Sequence, residues 1–525
     1  MATWSKSIWM YLYYALVFAG LGLYIYSQVP SITNYPFTIS WSESGQIFNA
    51  YQVYAPLLSG EYLSWPWLDP ARSIVDGLVL LLPSSQIWMY RFWVIILFPL
   101  STITVSFAVV RKANEYSPFH KGKVNRVLLG LLVLWGTLFL LQGPVYYHVL
   151  MGVFAVLWFY DAKRPVFVLM MVILGSLWEG LCRVNWFLMP AFVATLLYLL
   201  SESFSGKKLW HYIRWPLTYL IMGGITSFLT YFVFIKAQGF LIPFFDLRMD
   251  YAYFLYKLWP NNGFVGLIPG IVMICFPLSF VMLFVVLKHR GCLHWLRLFA
   301  LAGILMVFFA GSTVISLRAG GGYDLHNYDT LLLLLLICGC FLGLDAIALD
   351  KPVHVEKIPL TNNGLLICLV LIPVLFLYYR ERSVQHTQTD QSEESLAQIN
   401  IIIGKVGKGD KPILFIDQRQ LLVYRMLPEM KIFVPYDKIE LMEMAMARNS
   451  EYKEEFLVDV KSRRFSLIVS EALIQWEKPF DGVKFDSDWY ENNVWVDAVS
   501  IPILSFYDPV YIDREAGFAI YAPKE

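Results

Sequence analysis

Ile87 to Val110 reads IWMYRFWVIILFPLSTITVSFAVV, and it is followed at once by RKANEYSPFHKGKVNR, residues 111–126. The first stretch carries one charged residue, Arg91, in a run that exceeds the roughly 20 apolar residues an α-helix needs to cross a bilayer core. The second is dense in Lys and Arg. An apolar span closed by a basic loop is the repeating unit of a polytopic membrane protein. Composition agrees: of 525 residues, 58% are hydrophobic, 17% aromatic and 15% charged, whereas a soluble globular chain is about 25% charged.

Working outward from this span, the apolar runs predict eleven transmembrane helices, at about 8–27, 87–110, 127–142, 145–160, 165–181, 186–200, 216–235, 263–287, 296–316, 328–349 and 363–379. The first run lacks a small-residue cleavage site and leads into aromatic, Pro-rich sequence, so it reads as an uncleaved anchor. Six cysteines lie scattered in apolar stretches without zinc or disulfide spacing and read as small core residues. With the N-terminus in the cytoplasm, the inner loops hold sixteen Lys and Arg and the outer loops up to Arg380 hold eight. That bias predicts a plasma-membrane protein whose residues 28–86 and everything beyond Arg380 are extracytoplasmic.

Residues 381–525 change character. They contain 25 acidic and 17 basic residues, against 15 and 24 in residues 1–380. After the polar linker RSVQHTQTDQSEESLAQ come a strand signal at ILFI, residues 413–416, a helical spacing at Leu421, Leu422 and Tyr424, and a second strand signal in RFSLIVSE. DPVYIDREAGFAIYAP reads as a closing strand pair with a Gly turn. The expected architecture is a polytopic α-helical membrane domain, 1–380, followed by a soluble extracytoplasmic α/β domain, 381–525.

Residues 28–86 are too long for a simple connection between helices, which marks the loop as functional. It sets Glu43, Glu61, Asp69, Arg72 and Asp76 among Trp41, Tyr51, Tyr54, Tyr62, Trp65 and Trp67. Aromatic faces beside carboxylates suit a sugar, which offers an apolar C–H face and hydroxyl donors; the same aromatics suit an interfacial belt. Elsewhere, WEGLCRVNWFLMP places Glu179 and Arg183 one helical turn apart at an outer helix junction, as a structural ion pair or as substrate ligands. SLRAGGGYDLHNYDT places Arg318, His326 and Asn327 around three glycines, where the backbone is free to approach a phosphate or sugar or to form a tight polar turn. His148, in QGPVYYHVL, has no sequence neighbours of metal-ligand type and reads as a polar turn residue. The loop KAQGFLIPFFDLRMDYAYFLYKLWPNNG, with Asp246, Arg248 and Asp250, reads as an amphipathic cover along the membrane surface.

The loop segment SWSESGQIFNAYQVYAPLLSGEY, residues 40–62, together with the first helix, the many further spans and the C-terminal domain, resembles the C-type (GT-C) integral-membrane glycosyltransferases. Within them it is similar to bacterial members related to protein mannosyltransferases and lipid A aminoarabinose transferases. The likeness covers roughly the first 110 residues by motif. It implies a sugar donor carried on a polyprenyl phosphate, an extracytoplasmic protein, lipid or glycan acceptor, and a catalytic carboxylate at Glu43. Here Ser42 and Ser44 flank a single Glu, where the commoner pattern has Asp or an Asp-Glu pair. No cofactor is therefore predicted, and a divalent metal is left open.

The chemistry has its own requirements. Inverting transfer from a phosphate needs one base for the acceptor hydroxyl and cations for the departing phosphate, roles that suit Glu43 and the arginines Arg72, Arg183 and Arg318, whose planar forks match phosphate oxygens. Two other classes remain: a transporter or flippase for a lipid-linked glycan, which predicts repeated halves with broken midplane helices, and a non-catalytic scaffold that contacts membrane lipid and a partner. Nothing points to nucleic acid.

Overall fold

In lipid every backbone N–H and C=O must be satisfied within the segment, so apolar runs of this length form helices. The computed structural model describes residues 2–117, 126–143, 145–239, 257–260, 266–288, 291–318, 325–351, 363–379, 390–406, 411–430, 433–478 and 489–525. The amphipathic cover around Asp246, Arg248 and Asp250, the glycine run before Leu325 and the start of the polar linker lie outside the described residues.

The helical part comprises α1 (Ala2–Gln28), α2 (Glu43–Leu58), α3 (Pro70–Gly77), α4 (Ile87–Tyr116), α5 (Arg126–Gln142), α6 (Val149–Phe159), α7 (Pro165–Glu179), α8 (Met189–Ser201), α9 (Leu209–Ala237), α10 (Leu267–Lys288), α11 (Trp295–Arg318), α12 (Asp329–Gly343) and α13 (Asn363–Tyr379). Among the described residues, seven segments are long and apolar enough to cross a membrane: 11–31, 87–116, 184–201, 209–237, 267–284, 295–317 and 326–343. Four shorter apolar helices cover 126–142, 149–159, 165–179 and 368–378. This is the make-up of a polytopic helical membrane protein. Helix α12 is its centre: Leu331 to Cys338 are all buried, and the helix packs against α4, α5, α8, α10 and α11. Helices α6 and α7 approach closely through glycines, since a Cβ on Gly175 would stand 2.5 Å from the carbonyl oxygen of Gly152.

The long first loop is itself helical. In it, α2 and α3 pack on each other and bury Ile47, Phe48, Tyr51, Val79 and Leu80 against Ile87 and Tyr90 of α4. This loop carries the C-terminal unit, which comprises α14 (Asp390–Val406), β1 (Ile413–Phe415), a helical turn at Gln420–Val423, α15 (Lys438–Met446), α16 (Ser450–Lys461), β2 (Leu467–Ser470), α17 (Trp489–Trp495), α18 (Ile501–Phe506), β3 (Tyr507–Asp513) and β4 (Phe518–Pro523). The sheet order is β1-β2-β4-β3. β1 and β2 run parallel with Ile413 opposite Leu467, whereas β4 is antiparallel to both β2 and β3. The parallel pair requires a crossover, which α15 and α16 supply; Gly517, with φ +72°, turns the closing hairpin.

Strand alternation sends Leu414, Ile468 and Tyr521 to one face, under Phe456 and Val460 of α16. It sends Ile413, Phe415, Leu467, Val469, Phe518 and Ile520 to the other, where Ile399 and Ile403 of α14 meet Tyr35 and Phe37 of the first loop. The Phe37 and Phe518 rings stack at 5.0 Å. The second core is therefore built by both ends of the chain.

Candidate active site

Glu43 opens α2, and its carboxylate is fully engaged. Oε1 lies 2.7 Å from Arg91 Nε; Oε2 accepts from Arg91 Nη2 at 3.1 Å and from the Ile39 N–H at 2.8 Å. Arg91 donates its remaining N–H groups to the carbonyls of Thr33, Tyr35 and Phe37 at 2.7, 2.8 and 2.9 Å. Both partners are buried. The next residues of the motif serve the C-terminal unit: Ser44 Oγ accepts from the Arg419 N–H at 2.8 Å, and Ile439 lies 2.9 Å from where a Gly45 Cβ would be. The motif around Glu43 thus joins the first loop, α4 and the C-terminal unit.

A second cluster of ionisable groups forms where α3, α6, α7 and α12 meet. Pro70 starts α3 at its first position, and Asp69 before it takes a left-handed backbone, φ 53°, without capping the helix. The Ala71 N–H bonds to the Leu181 carbonyl at 2.9 Å and ties α3 to the turn after α7. Asp69 Oδ2 then sits 2.9 Å from His148 Nε2. The expectation that His148 lacks ligand neighbours fails here because the fold closes a gap of 79 residues. Burial opposes the Asp69 carboxylate, but His148, Arg72 and Arg183 together outweigh it and hold the carboxyl below its ordinary range. Asp76, about two turns along from Asp69, goes the other way. Burial raises it despite Arg72, 3.4 Å away, and despite hydrogen bonds from the Tyr147 and Tyr90 hydroxyls. Two carboxyls on one short helix are thus pushed apart in acidity.

Tyr146 joins the cations. Its ring lies 5.0 Å from the Arg72 guanidinium carbon and 5.3 Å from that of Arg183, with the His326 ring edge-on at 6.2 Å. Arg183 Nη2 donates to Asn327 Oδ1 at 2.5 Å, and Nη1 is 3.8 Å from Asp329. Asp329 is itself fixed by Trp186 Nε1 at 2.7 Å and Asn185 at 3.3 Å. Arg72 Nε and Arg183 Nη1 are both shielded and without a well-formed hydrogen bond. Glu179, fully buried at the end of α7, does not pair with Arg183; neither of its oxygens accepts a hydrogen bond from nitrogen or oxygen, and the Cys182 thiol is its polar neighbour.

The C-terminal unit reaches this cluster. Glu443 on α15 is raised by burial and drawn back by Arg183, Lys257 and His326, while Glu491 on α17 pairs with Lys257 at 3.4 Å. Trp67 of the first loop donates to Glu440 at 3.3 Å.

The structure therefore brings Arg72, Arg183, His326 and Asn327 together, with Glu179 beside them, and places Glu43 in the separate Arg91 brace. Arg318 ends α11. Sequence reasoning singled out Asp329 beside His326 and Asn327 but passed over Tyr146, Tyr147 and Glu443. The run YYH at 146–148, polar and aromatic in a very short turn between two spans, was the available signal for the first two. The Asp69, His148 and Cys182 ligand atoms lie within 4.8 Å of one another, and this mixed oxygen, nitrogen and sulfur set is the group of residues able to hold a zinc-like divalent ion. No protein-family model matches the chain, and no curated protein matches it significantly.

Proposed function

We propose that the chain is an integral-membrane glycosyltransferase that moves a sugar, with inversion, from a polyprenyl-phosphate donor to an acceptor outside the cytoplasm. The observation that carries this reading is the pair of guanidiniums, Arg72 and Arg183, gathered around Tyr146 beside an ionised Asp69. A phosphate attached to a lipid tail must be received at the end of apolar helices, and guanidinium forks with unspent N–H groups are suited to its oxygens. In this reading all eleven apolar helices cross the bilayer, with the N-terminus inside and the cluster at the outer face.

The acceptor hydroxyl attacks the anomeric carbon while the bond from that carbon to the phosphate oxygen breaks. Its electron pair leaves with the polyprenyl phosphate, whose charge Arg72 and Arg183 take up. Asp69 receives the acceptor's proton, and His148 holds the carboxylate in place. His326 and Asn327 line the same space and orient the donor. Glu43, the base implied by the family resemblance, braces the loop through Arg91 in this assignment. The base passes to Asp69, whose Oδ1 makes no hydrogen bond within the protein. The mechanism needs no metal; an ion held by Asp69, His148 and Cys182 would supply Lewis acidity toward the phosphate.

The test is transfer from a labelled polyprenyl-phosphate sugar by the reconstituted protein, with Asp69→Asn and Arg183→Lys compared. Asp69→Asn is expected to cut turnover about 10²- to 10⁴-fold with donor binding kept, and Arg183→Lys to weaken donor binding through loss of the fork. Full turnover in Asp69→Asn removes that residue as base. Movement of an intact lipid-linked glycan across the bilayer without sugar transfer replaces the reading with a flippase.

A further inference from the structure

The opposite end of α6 and α7 carries a second polar site. Helix α7 runs its 15 residues from Pro165 to Glu179, so at 1.5 Å per residue its start lies about 22 Å from its end beside the Asp69 cluster, most of the roughly 30 Å of a bilayer core. A cavity of about 480 Å³ opens there between the end of α4, the end of α6 and the turn into α7, and Arg111, Lys112, Lys163 and Arg164 line it.

Its charges are unevenly spent. Glu115 is bound by Arg111 Nε at 2.9 Å and by Lys112 at 2.7 Å, and Lys112 also donates to the Tyr160 carbonyl. Glu202 pairs with Lys207 outside the cavity at 2.7 Å. Asp161 accepts from the Lys163 backbone N–H and stands 3.7 Å from Arg164, whose side chain is 76% exposed. The acids are therefore engaged, while several cationic donors are not. Arg111 Nη1 is shielded from solvent and makes no hydrogen bond, and its guanidinium carbon stands over the Trp158 ring, 4.0 Å from the ring centre, a cation–π contact that holds it.

Above this polar floor the surface becomes apolar. Phe107, Phe159, Val166 and Met170 are each 48–61% exposed on helices that line or flank the cavity. A free anion would use only the floor; an amphiphile uses both parts.

We propose that this cavity is a binding site for an anionic phospholipid, its phosphate on Arg111, Lys163 and Arg164 and its acyl chains along Phe107, Phe159, Val166 and Met170. The site is independent of the glycosyl-transfer reading and lies on the membrane face opposite the candidate active site. Trp158 is next to last in α6, and indoles are enriched where apolar helices meet the lipid headgroups.

The full chain is purified from nanodiscs of phosphatidylcholine containing a minority of phosphatidylglycerol, and the lipids retained are counted by native mass spectrometry. Phosphatidylglycerol is expected to be enriched over its share, and each of Arg111→Gln and Arg164→Gln to reduce that enrichment about fivefold, the usual effect of one cation near an anionic lipid. Lys163→Gln, at an exposed side chain, reports on the same floor. Arg463→Gln in the C-terminal unit serves as the charge-matched control and is expected to leave enrichment unchanged. Retention of the two lipids in proportion to their supply overturns the proposal, as does enrichment that survives all three cavity substitutions. Displacement of the lipid by soluble glycerol phosphate at equal concentration also overturns it, in favour of a free-phosphate site.

Discussion

Arg91 illustrates how a buried charge is made tolerable: five N–H groups meet five acceptor contacts, two of them on Glu43. Glu43→Gln keeps the shape but leaves the guanidinium without a counter-charge in a site closed to water. The expected cost is about 3–5 kcal/mol of stability, read as a lower unfolding temperature and earlier proteolysis of the C-terminal unit. Loss of turnover in Glu43→Gln with stability and donor binding intact would return the base to Glu43. The sequence exposed Glu43 as the acidic residue of a motif, but its partner is 48 positions away; from sequence alone an engaged carboxylate and a reactive one look alike. Asp69 and His148 had the converse problem, since each has its partner 79 positions away along the chain.

At the scale of elements, the apolar runs located the helices, closely at α7, whereas α4 continues through the basic Arg111 and Lys112 to Tyr116 and α9 starts at Leu209, before its apolar run. The strands β1, β2, β3 and β4 were legible from β-branched clusters and the Gly517 turn. Which faces would meet was not, because contacts between helices depend on small residues whose partners the sequence does not name. Gly152 makes this testable: a Cβ there would stand 2.9 Å from the Gly175 carbonyl and closer still to Glu179 Oε1. Gly152→Ala is expected to cost about 1–3 kcal/mol through overpacking, measured by thermal unfolding in detergent, whereas Gly130→Ala, with open space around it, should be neutral.

Helix α15 adds a dependence on pH. Burial pushes the Glu440 carboxyl up to about 7, with Asp437 adding to the effect. A carboxyl raised in the folded state favours folding most fully below its unfolded value near 4.5, and that contribution is lost as pH rises through about 7. The C-terminal unit should thus hold less firmly to Trp67 and its surroundings at about pH 8 than at about pH 6 in its Glu440-dependent part. Glu440→Gln is expected to flatten the difference, followed by limited proteolysis across pH.

For the whole molecule, the bias of Lys and Arg predicts sides that a labelling experiment reads directly. Glu454→Cys on α16 and Lys163→Cys before α7 are both exposed, and Cys368, the exposed native thiol, is replaced by Ala in this background. An impermeant maleimide on intact cells is expected to label position 454 and spare position 163; the reverse pattern inverts the protein and moves the Asp69 cluster inside. The change in charge near residue 381 announces the segment that forms the sheet. The intimacy of the two parts was not legible: it rests on side chains such as Phe37, Arg419 and Glu443, which look unremarkable within their own segments.

The stacking of Phe37 on Phe518 has a consequence for biosynthesis. Phe37 is made 481 residues before Phe518, so Tyr35 and Phe37 wait through that stretch of synthesis before the surface that covers them exists. During that interval their rings are exposed to chaperones and proteases outside the bilayer. A chain that lacks β4 keeps its apolar helices while its first loop stays uncovered, so a defect in β4 is marked in the first loop, far from it in sequence.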